Sequence, residues 1–289
     1  MFIRKYPRTP HLQGSRLQPG DSASDQVPYS QLAGRYLVIE EKLDGANAGV
    51  SFDASGALRL QSRGHVLTGG GRESQFAQFK SWATVHQERL FEILGTRYTL
   101  YGEWMASKHT VFYDRLPHLF AEFDILDTKT GEFLSTSARR RMLKDSPVLS
   151  VPVLYAGLAP KRLAELQKLV RPSLAKTTRW RNSLEQVAHQ EALDFDLVKR
   201  QTDDSDLSEG LYIKIEENGR TVGRLKWVRH DFIQAILDSG SHHLNRPIFP
   251  NQLAQGVDMY APQLTLKWED LGHSEPDSQE PGATEETCS

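Results

Sequence analysis

Glu40-Glu41-Lys42-Leu43-Asp44-Gly45-Ala46-Asn47 is the stretch whose reading decides this fold. Tyr36-Leu37-Val38-Ile39 leads into it and Ala48-Gly49-Val50-Ser51-Phe52 leads out, both apolar and β-branched enough to read as strands. Three consecutive charges therefore fall where a strand should still be buried. An unpaired buried charge costs on the order of several kcal/mol, so partners are expected for these side chains, or a use for the Lys42 ammonium. Asp44-Gly45 is expected to make the following turn, with glycine supplying backbone freedom. Taken alone, Lys-x-Asp-Gly describes an ordinary hairpin with a lysine at its mouth equally well.

Outward from this stretch, the turn Asp53-Ala54-Ser55-Gly56 and the run Ala57 to Arg63 extend a hairpin or meander, with Arg63 at a strand end. Residues 73–94 carry Phe76, Phe79, Trp82, Ala83, Leu90 and Leu94 at helical spacing, which predicts one amphipathic helix with an aromatic core face. Tyr98 to Tyr101 is a short strand delivering Gly102-Glu103-Trp104. Leu119 to Leu126 is another, with Glu122 and Asp124 interleaved among apolar groups, a placement that aims carboxylates into a cleft. A polar loop, Lys108 to Asp114, lies between them. Residues 137–198 read as mainly helical, with helices expected over Ala159 to Val170 and Trp180 to Leu193. Ser208 to Ile215 and Val222 to Val228 form a hairpin around Glu217-Asn218-Gly219-Arg220, and Arg224 and Lys226, two apart, share a face. Gly69-Gly70-Gly71-Arg72 lacks the context of a phosphate loop, and Ser173 to Lys176 is a chance Ser-x-x-Lys.

The 289 residues suffice for one large domain, or one with a small appendage. The sequence contains no window long and apolar enough to span a membrane, and Met1 to Pro7 lacks a signal-peptide core. The single Cys288 excludes an intrachain disulfide and a cysteine-rich zinc site, so a reducing, cytoplasmic setting is expected. Residues 269–289 hold seven acids and no Lys or Arg, and are expected to be a disordered acidic tail. The other 268 residues carry 35 basic and 30 acidic side chains, a mildly basic body that suits a nucleic-acid binder and many enzymes alike. Residues 1–30 form a basic arm with Arg4, Lys5, Arg8, His11 and Arg16, either a solvated extension or an arm laid across a phosphate-bearing ligand. Arg139-Arg140-Arg141 with Lys144 reads as a solvated helix face or a nucleic-acid backbone contact.

In order, Lys42-x-Asp44-Gly45, Ser62-Arg63-Gly64, Gly102-Glu103, Phe120-x-x-Phe123-Asp124, Glu209-Gly210 and Leu225-Lys226 resemble the successive motifs of the covalent nucleotidyltransferases: ATP-dependent DNA and RNA ligases and GTP-dependent capping enzymes. Glu41-Lys42-x-x-Gly45-Ala46-Asn47, and Gly102-Glu103-Trp104 with Lys108-His109, are most similar to ATP-dependent RNA ligases of the RNA ligase 2 type. The resemblance implies an α+β fold over residues 31–230: a nucleotidyltransferase (ATP-grasp-like) domain of two antiparallel β-sheets facing across a nucleotide cleft, with flanking helices. It implies that Lys42 takes AMP from ATP as a phosphoramide, passes it to an RNA 5′-phosphate, and lets a 3′-hydroxyl displace it to seal the strand.

Carried across on the same resemblance, Arg63 and Glu103 would hold the ribose and Phe123 would stack on adenine, with Phe120 as the fallback. Glu41 would join the nucleotide site, and Lys42, Asp44, Lys214 and Lys226 the catalytic group. Glu209 and Asp124 would bind a divalent metal, Mg²⁺ or Mn²⁺. Lys214, Arg224 and Lys226 would face the α-phosphate, and Asn47 a phosphate or the metal's water shell. A lysine with an ordinary pKa is neutral in only about one molecule in a thousand at neutral pH, so the reading expects burial and neighbouring cations, including a bound metal, to depress Lys42. Two departures stand out. Arg224 occupies a place where ligases usually carry lysine, and Asp44 matches DNA ligases and capping enzymes rather than RNA ligases with histidine there. Residues 231–268 read as a short extension packed on the core, with a helix over Phe232 to Leu237, and leave no room for a complete OB domain. A DNA or mixed-substrate ligase, and a non-sealing nucleotide- or RNA-binding protein, are the alternatives. The expected partner is RNA with 5′-phosphate and 3′-hydroxyl ends, with a separate end-healing or template-binding protein as a further candidate; a monomer without membrane attachment is expected.

Overall fold

The computed structural model describes residues 3–17, 21–232 and 248–276. The stretch Glu40 to Lys42 lies inside β1 (Tyr36–Lys42), followed by β2 (Ala46–Phe52) and β3 (Leu58–Ser62). Helices α1 (Ala77–Val85) and α2 (Gln87–Leu94) come next, then β4 (Tyr98–Trp104), β5 (Phe120–Asp127) and β6 (Glu132–Leu134). After α3 (Thr136–Met142) come β7 (Leu149–Ser150), β8 (Val153–Leu158), α4 (Leu163–Gln167), α5 (Trp180–Gln190), α6 (Phe195–Arg200) and the hairpin of β9 (Gly210–Glu217) and β10 (Arg220–Val228).

The strands run β3-β2-β4-β5-β6-β10-β9-β1-β8, antiparallel throughout, with β7 added parallel to β5. This is the expected α+β architecture. All the strands belong to one continuous sheet; its halves β3-β2-β4-β5 and β10-β9-β1-β8, joined through the three-residue β6, stand in the place of the two expected sheets. One expectation fails here: Asp44-Gly45 closes no hairpin. β1 pairs with β8 and β9, whereas β2 pairs with β3 and β4, so Leu43 to Gly45 carries the chain from one half to the other. Gly45 is needed there for space, since a Cβ would lie 2.6 Å from the Trp104 carbonyl oxygen.

Under β2, β4 and β5 lies the larger core, where Phe79, Trp82 and Leu90 of α1 and α2 meet Val50, Leu100 and Phe120. A second core joins Leu37, Ile39, Ile213 and Trp227 to Leu166 of α4 and Leu12 of the arm. The helix expected over 73–94 is broken at His86, a buried residue whose Nε2 lies 3.1 Å from the Met259 carbonyl and whose backbone leaves the helical region. The 137–198 segment contains two strands as well as helices, because Val148-Leu149 and Val151 to Leu154 form an apolar run of strand length. The expected helix over Ala159 to Val170 shortens to α4 for want of a side-chain cap at Arg162. The segment from 248 onward packs on the body, with Trp268 buried and its Nε1 donating to Ser150 O at 2.8 Å. This order continues past 269, where the acidic tail was expected to begin: Glu269–Leu271 is a 3₁₀ turn and Glu275 pairs with Arg140 at 2.5 Å. The helix expected over Phe232 to Leu237 and the rest of the tail lie outside the described residues.

The buried charges of β1 have partners, as their cost requires. Glu40 Oε1 receives Arg139 at 2.7 Å and Lys214 Nζ at 2.9 Å, and Arg139 also reaches Glu122 at 2.6 Å. Glu41 receives the Ser173 hydroxyl at 2.5 Å. Arg139→Ala takes the guanidinium from two fully buried carboxylates, leaving Glu40 with Lys214 and Glu122 with the Ser150 hydroxyl, and should lower stability by about 3–5 kcal/mol. Arg140→Ala, which breaks the partly exposed pair with Glu275, should cost about 0–1 kcal/mol. Urea unfolding of the two variants checks this, and equal losses would contradict the ranking.

Candidate active site

Where β1 ends, the sheet halves separate and leave a cavity of about 370 Å³. Its wall includes Glu40, Glu41 and Lys42 of β1, Asn47 of β2, Arg63 beyond β3, Glu103 of β4, Phe123 of β5, Tyr212 of β9 and Lys226 of β10. Glu209, immediately before β9, completes it with Asp44 and His109. Residues separated by well over a hundred positions meet because β1 stands beside β9, with Lys42 opposite Gly210. A Cβ at Gly210 would lie 2.0 Å from the Trp227 carbonyl oxygen, so glycine lets β9 and β10 close at this point.

Lys42 is the centre of the cavity's charge. Its Nζ donates to Glu209 Oε2 at 2.6 Å, and its side chain is 23% exposed. Burial pulls the Lys42 pKa down, but the Coulombic pull of Glu209 and Glu103, the bond to Glu209 and the charge of Asp44 outweigh it, and the net shift is upward. In the protein without ligand, Lys42 is therefore held as an ammonium, and burial alone does not depress it. Burial raises Glu209 against the opposing pull of Lys42, so the two titrate as a coupled pair. Glu103 is pushed up to about 8 by burial and by Asp44 and Glu209, while its Oε1 accepts from Gly45 N at 2.9 Å. Asp44 is buried, and its Oδ2 accepts from Thr110 N and Val111 N, both at 2.7 Å, which pins the loop after β4 against the end of β1.

Lys226 is a second cation in the wall, its pKa lowered by burial and then by Lys42. Arg63 is exposed at the rim. Phe123 is half-buried, 5.1 Å from Tyr6 edge-on and 6.0 Å from Tyr212 at 32°. In the wall, Asn47 Oδ1 and Glu40 Oε2 are buried acceptors without a hydrogen-bond partner among the described residues. Such groups are costly unless a ligand donates to them.

Of the residues expected at the site, the structure brings together Glu41, Lys42, Asp44, Asn47, Arg63, Glu103, Phe123, Glu209 and Lys226. It sets Lys214, Arg224 and Asp124 apart. Lys214 is fully buried, 2.9 Å from Glu40 and 3.4 Å from Asp124, and also donates to the Phe123 carbonyl. Arg224 lies 3.5 Å from Asp124 and 3.7 Å from the Phe133 ring centroid. Asp124 faces these two cations and the Tyr6 hydroxyl in a charge layer behind the cavity, away from the cavity wall. Phe120 is core, not an alternative base platform. Arg139 is buried and Arg140 paired, so the 139–144 cluster leaves only Arg141 and Lys144 exposed.

Sequence reasoning missed Tyr6, Pro7 and Thr9, which line the cavity because the arm runs along β10: Leu12 N donates to Lys226 O at 2.9 Å and Lys226 N to Pro10 O at 3.0 Å. It also missed Tyr212, whose hydroxyl is 2.5 Å from that of Tyr6. The alternation of Tyr212 with Lys214 was the available signal.

Residues 35–228 match the protein family described as RNA ligase. No curated protein matches the sequence. Among solved structures, Naegleria gruberi RNA ligase with pyrophosphate is 18% identical, with a TM-score of 0.51 over 78% of this chain and 56% of that one. A point variant of the same ligase with AMP and Mn is 16% identical, with a TM-score of 0.50 over the same shares, 78% and 56%. The chain thus spans a little over half the length of the structures it matches, and the likeness shows the shared fold.

Glu209→Gln removes the carboxylate that most strongly retains the Lys42 proton. At neutral pH, Lys42 in this variant should react with a small amine reagent such as acetic anhydride at least about tenfold faster than in the parent, one pK unit being tenfold in neutral amine. Peptide mapping of the acetylated lysine reads this out; an unchanged rate would contradict the pairing.

Proposed function

This chain belongs to the RNA ligase family, and from that premise we propose that it seals RNA ends through a covalent adenylate on Lys42. The observation that carries the reading is the buried pair of Lys42 Nζ and Glu209 Oε2, 2.6 Å apart in the wall of a cavity that also holds Lys226 and Phe123. In that cavity Phe123 offers a face for adenine, and Asn47 and Glu40 offer acceptors without partners. The Naegleria gruberi structures hold pyrophosphate in one case and AMP with Mn in the other, the two products of splitting ATP at its α-phosphate.

In the proposed first step, Lys42 Nζ forms a bond to the α-phosphorus of ATP as the bond to the pyrophosphate oxygen breaks. The lysine must first lose a proton. Glu209 Oε2 is in hydrogen-bond reach, and its raised pKa suits an acceptor of that proton. Lys226 places positive charge where the phosphate charge grows, and Arg63 adds a forked donor at the rim. AMP then passes to an RNA 5′-phosphate with Lys42 as leaving group, and the adjoining 3′-hydroxyl displaces AMP.

The residues also fit a divalent cation in part. Among the described residues, no three His, Cys, Asp or Glu side chains form a ready metal site, but Glu209 and Glu103 are oxygen ligands in the wall that phosphate oxygens would supplement, as Mg²⁺ or Mn²⁺ requires. When bound, such a cation supplies positive charge that competes with Lys42 for these carboxylates and offsets the charge of pyrophosphate. Action in RNA repair follows from the chemistry of joining a 5′-phosphate to a 3′-hydroxyl. Among the described residues no helix is long and apolar enough to cross a membrane.

The test is sealing of a nicked duplex carrying a 5′-phosphate, with ATP and Mg²⁺, comparing a ribose with a deoxyribose at the 3′-hydroxyl side. The ribose nick should be sealed preferentially, and Lys226→Ala should seal it about a hundredfold more slowly. Sealing of both nicks alike would replace this reading with a mixed-substrate ligase, and ATP binding without pyrophosphate release would end it. The pH dependence follows from the two lysines. Because Lys42 is shifted upward, its neutral form is scarce through neutrality, and the rate of lysine adenylation should rise about tenfold per pH unit from about pH 6. Because Lys226 is shifted downward, it loses its charge before an ordinary lysine would and should bend the profile over at alkaline pH. A flat profile would contradict the assignment of Lys42.

A further inference from the structure

Residues 248–254 lie along both sides of the loop that follows β4. Lys108 N donates to Phe249 O at 2.7 Å, Asn251 N to Ala106 O at 3.0 Å, Gln252 N to Tyr113 O at 2.9 Å and Leu116 N to Gln252 O at 2.9 Å. At the centre is Asn251, 8% exposed. Its Oδ1 accepts from Tyr113 N at 2.9 Å and its Nδ2 donates to Met105 O at 2.8 Å, so one amide closes the loop from both ends. A carboxamide supplies acceptor and donor together, and a truncated side chain would leave Tyr113 N and Met105 O buried without partners.

Tyr113 carries this bracing onward. It is fully buried, and its hydroxyl accepts from Asp44 N at 2.8 Å. Asp44 in turn takes Thr110 N and Val111 N on its carboxylate, and His109, just before them, reaches the cavity. Asn251 and Tyr113 are both absent from the cavity wall, yet a continuous series of bonds joins them to the residue two beyond Lys42. Leu43 to Gly45 is also the crossover between the sheet halves, where no strand pairing fixes the backbone. Its position depends on side-chain bonds of this kind, together with that from Gly45 N to Glu103.

We infer that Asn251 is a positioning residue: by bridging Tyr113 and Met105 it fixes the loop that holds Asp44, and so fixes Lys42 for attack. The segment beyond residue 248 thereby belongs to the catalytic unit, not to an appendage. This rests on the reading of Lys42 as nucleophile. Misplacing a reacting group by about an ångström can cost about a hundredfold in rate while leaving substrate binding intact.

The experiment compares Asn251→Ala, Tyr113→Phe and the double variant in single-turnover adenylation by labelled ATP, with hydrogen exchange followed over residues 105–113. Each single variant should lose about ten- to a hundredfold in rate at saturating ATP, with half-saturation within about threefold of the parent. The double should fall no more than about threefold below the slower single, because both act through one path. Exchange over 105–113 should quicken in Asn251→Ala while that of β1 is unchanged. If Asn251→Ala fails to fold, Asn251→Asp, which keeps the acceptor for Tyr113 N, should fold and show a smaller loss of the same kind. A folded Asn251→Ala that adenylates at the parental rate, or losses that multiply in the double, would overturn the inference. Should the parent itself take no adenylate, the functional reading fails instead. Exchange then decides the bracing alone, with unchanged protection over 105–113 overturning it.

Discussion

Everything at this site depends on the contact between Lys42 and Glu209. One residue ends β1 and the other precedes β9, and the pairing of those strands brings an ammonium and a carboxylate to 2.6 Å in a partly closed cavity. Either charge alone would be expensive to bury; together they offset much of each other's cost. The arrangement also sets a chemical condition. A lysine held by acids is a poor nucleophile, so the proposed adenylation would be coupled to whatever draws those acids away or receives the lysine proton. An amine that stays protonated until a nucleotide and its cation arrive does not react adventitiously with other electrophiles.

Behind the cavity lies a second charged layer. Glu40, Glu122 and Asp124 face Arg139, Lys214 and Arg224, with Tyr6 bonded to Asp124. Glu40 links the layers, since it lines the cavity on one side and holds Arg139 and Lys214 on the other. Lys214 also grips the carbonyl of Phe123 and so fixes the aromatic platform from beneath. The layer contains residue types suited to phosphate chemistry but uses them to hold two sheet halves together where the strand pairing runs through the short β6.

Much of this was legible in the sequence. Lys42 stands out as a charge on an apolar strand, Glu103, Phe123, Glu209 and Lys226 were singled out through the motif resemblance, and a shared cavity wall is the physical reason for their types. The period-two alternation that put Arg224 with Lys226 gives the face of a strand but not the depth along it. Lys226 lines the cavity while Arg224 belongs to the charge layer. Burial and opposite charge compete in setting a pKa, and the sequence cannot weigh them before distances are known, so the upward shift of Lys42 in the protein without ligand was not legible. Tyr6 and Asn251 were invisible for another reason. Their partners Asp124 and Tyr113 lie more than a hundred residues away, and no local pattern announces such contacts.

The most direct measurement is mass spectrometry of the protein after incubation with ATP and Mg²⁺, with fragmentation to locate any adduct. The account requires one adenylate, joined through nitrogen, on the peptide carrying Lys42, labile to acid and absent from Lys42→Arg. An adenylate on another side chain, or none on a folded protein free of bound nucleotide, would contradict it.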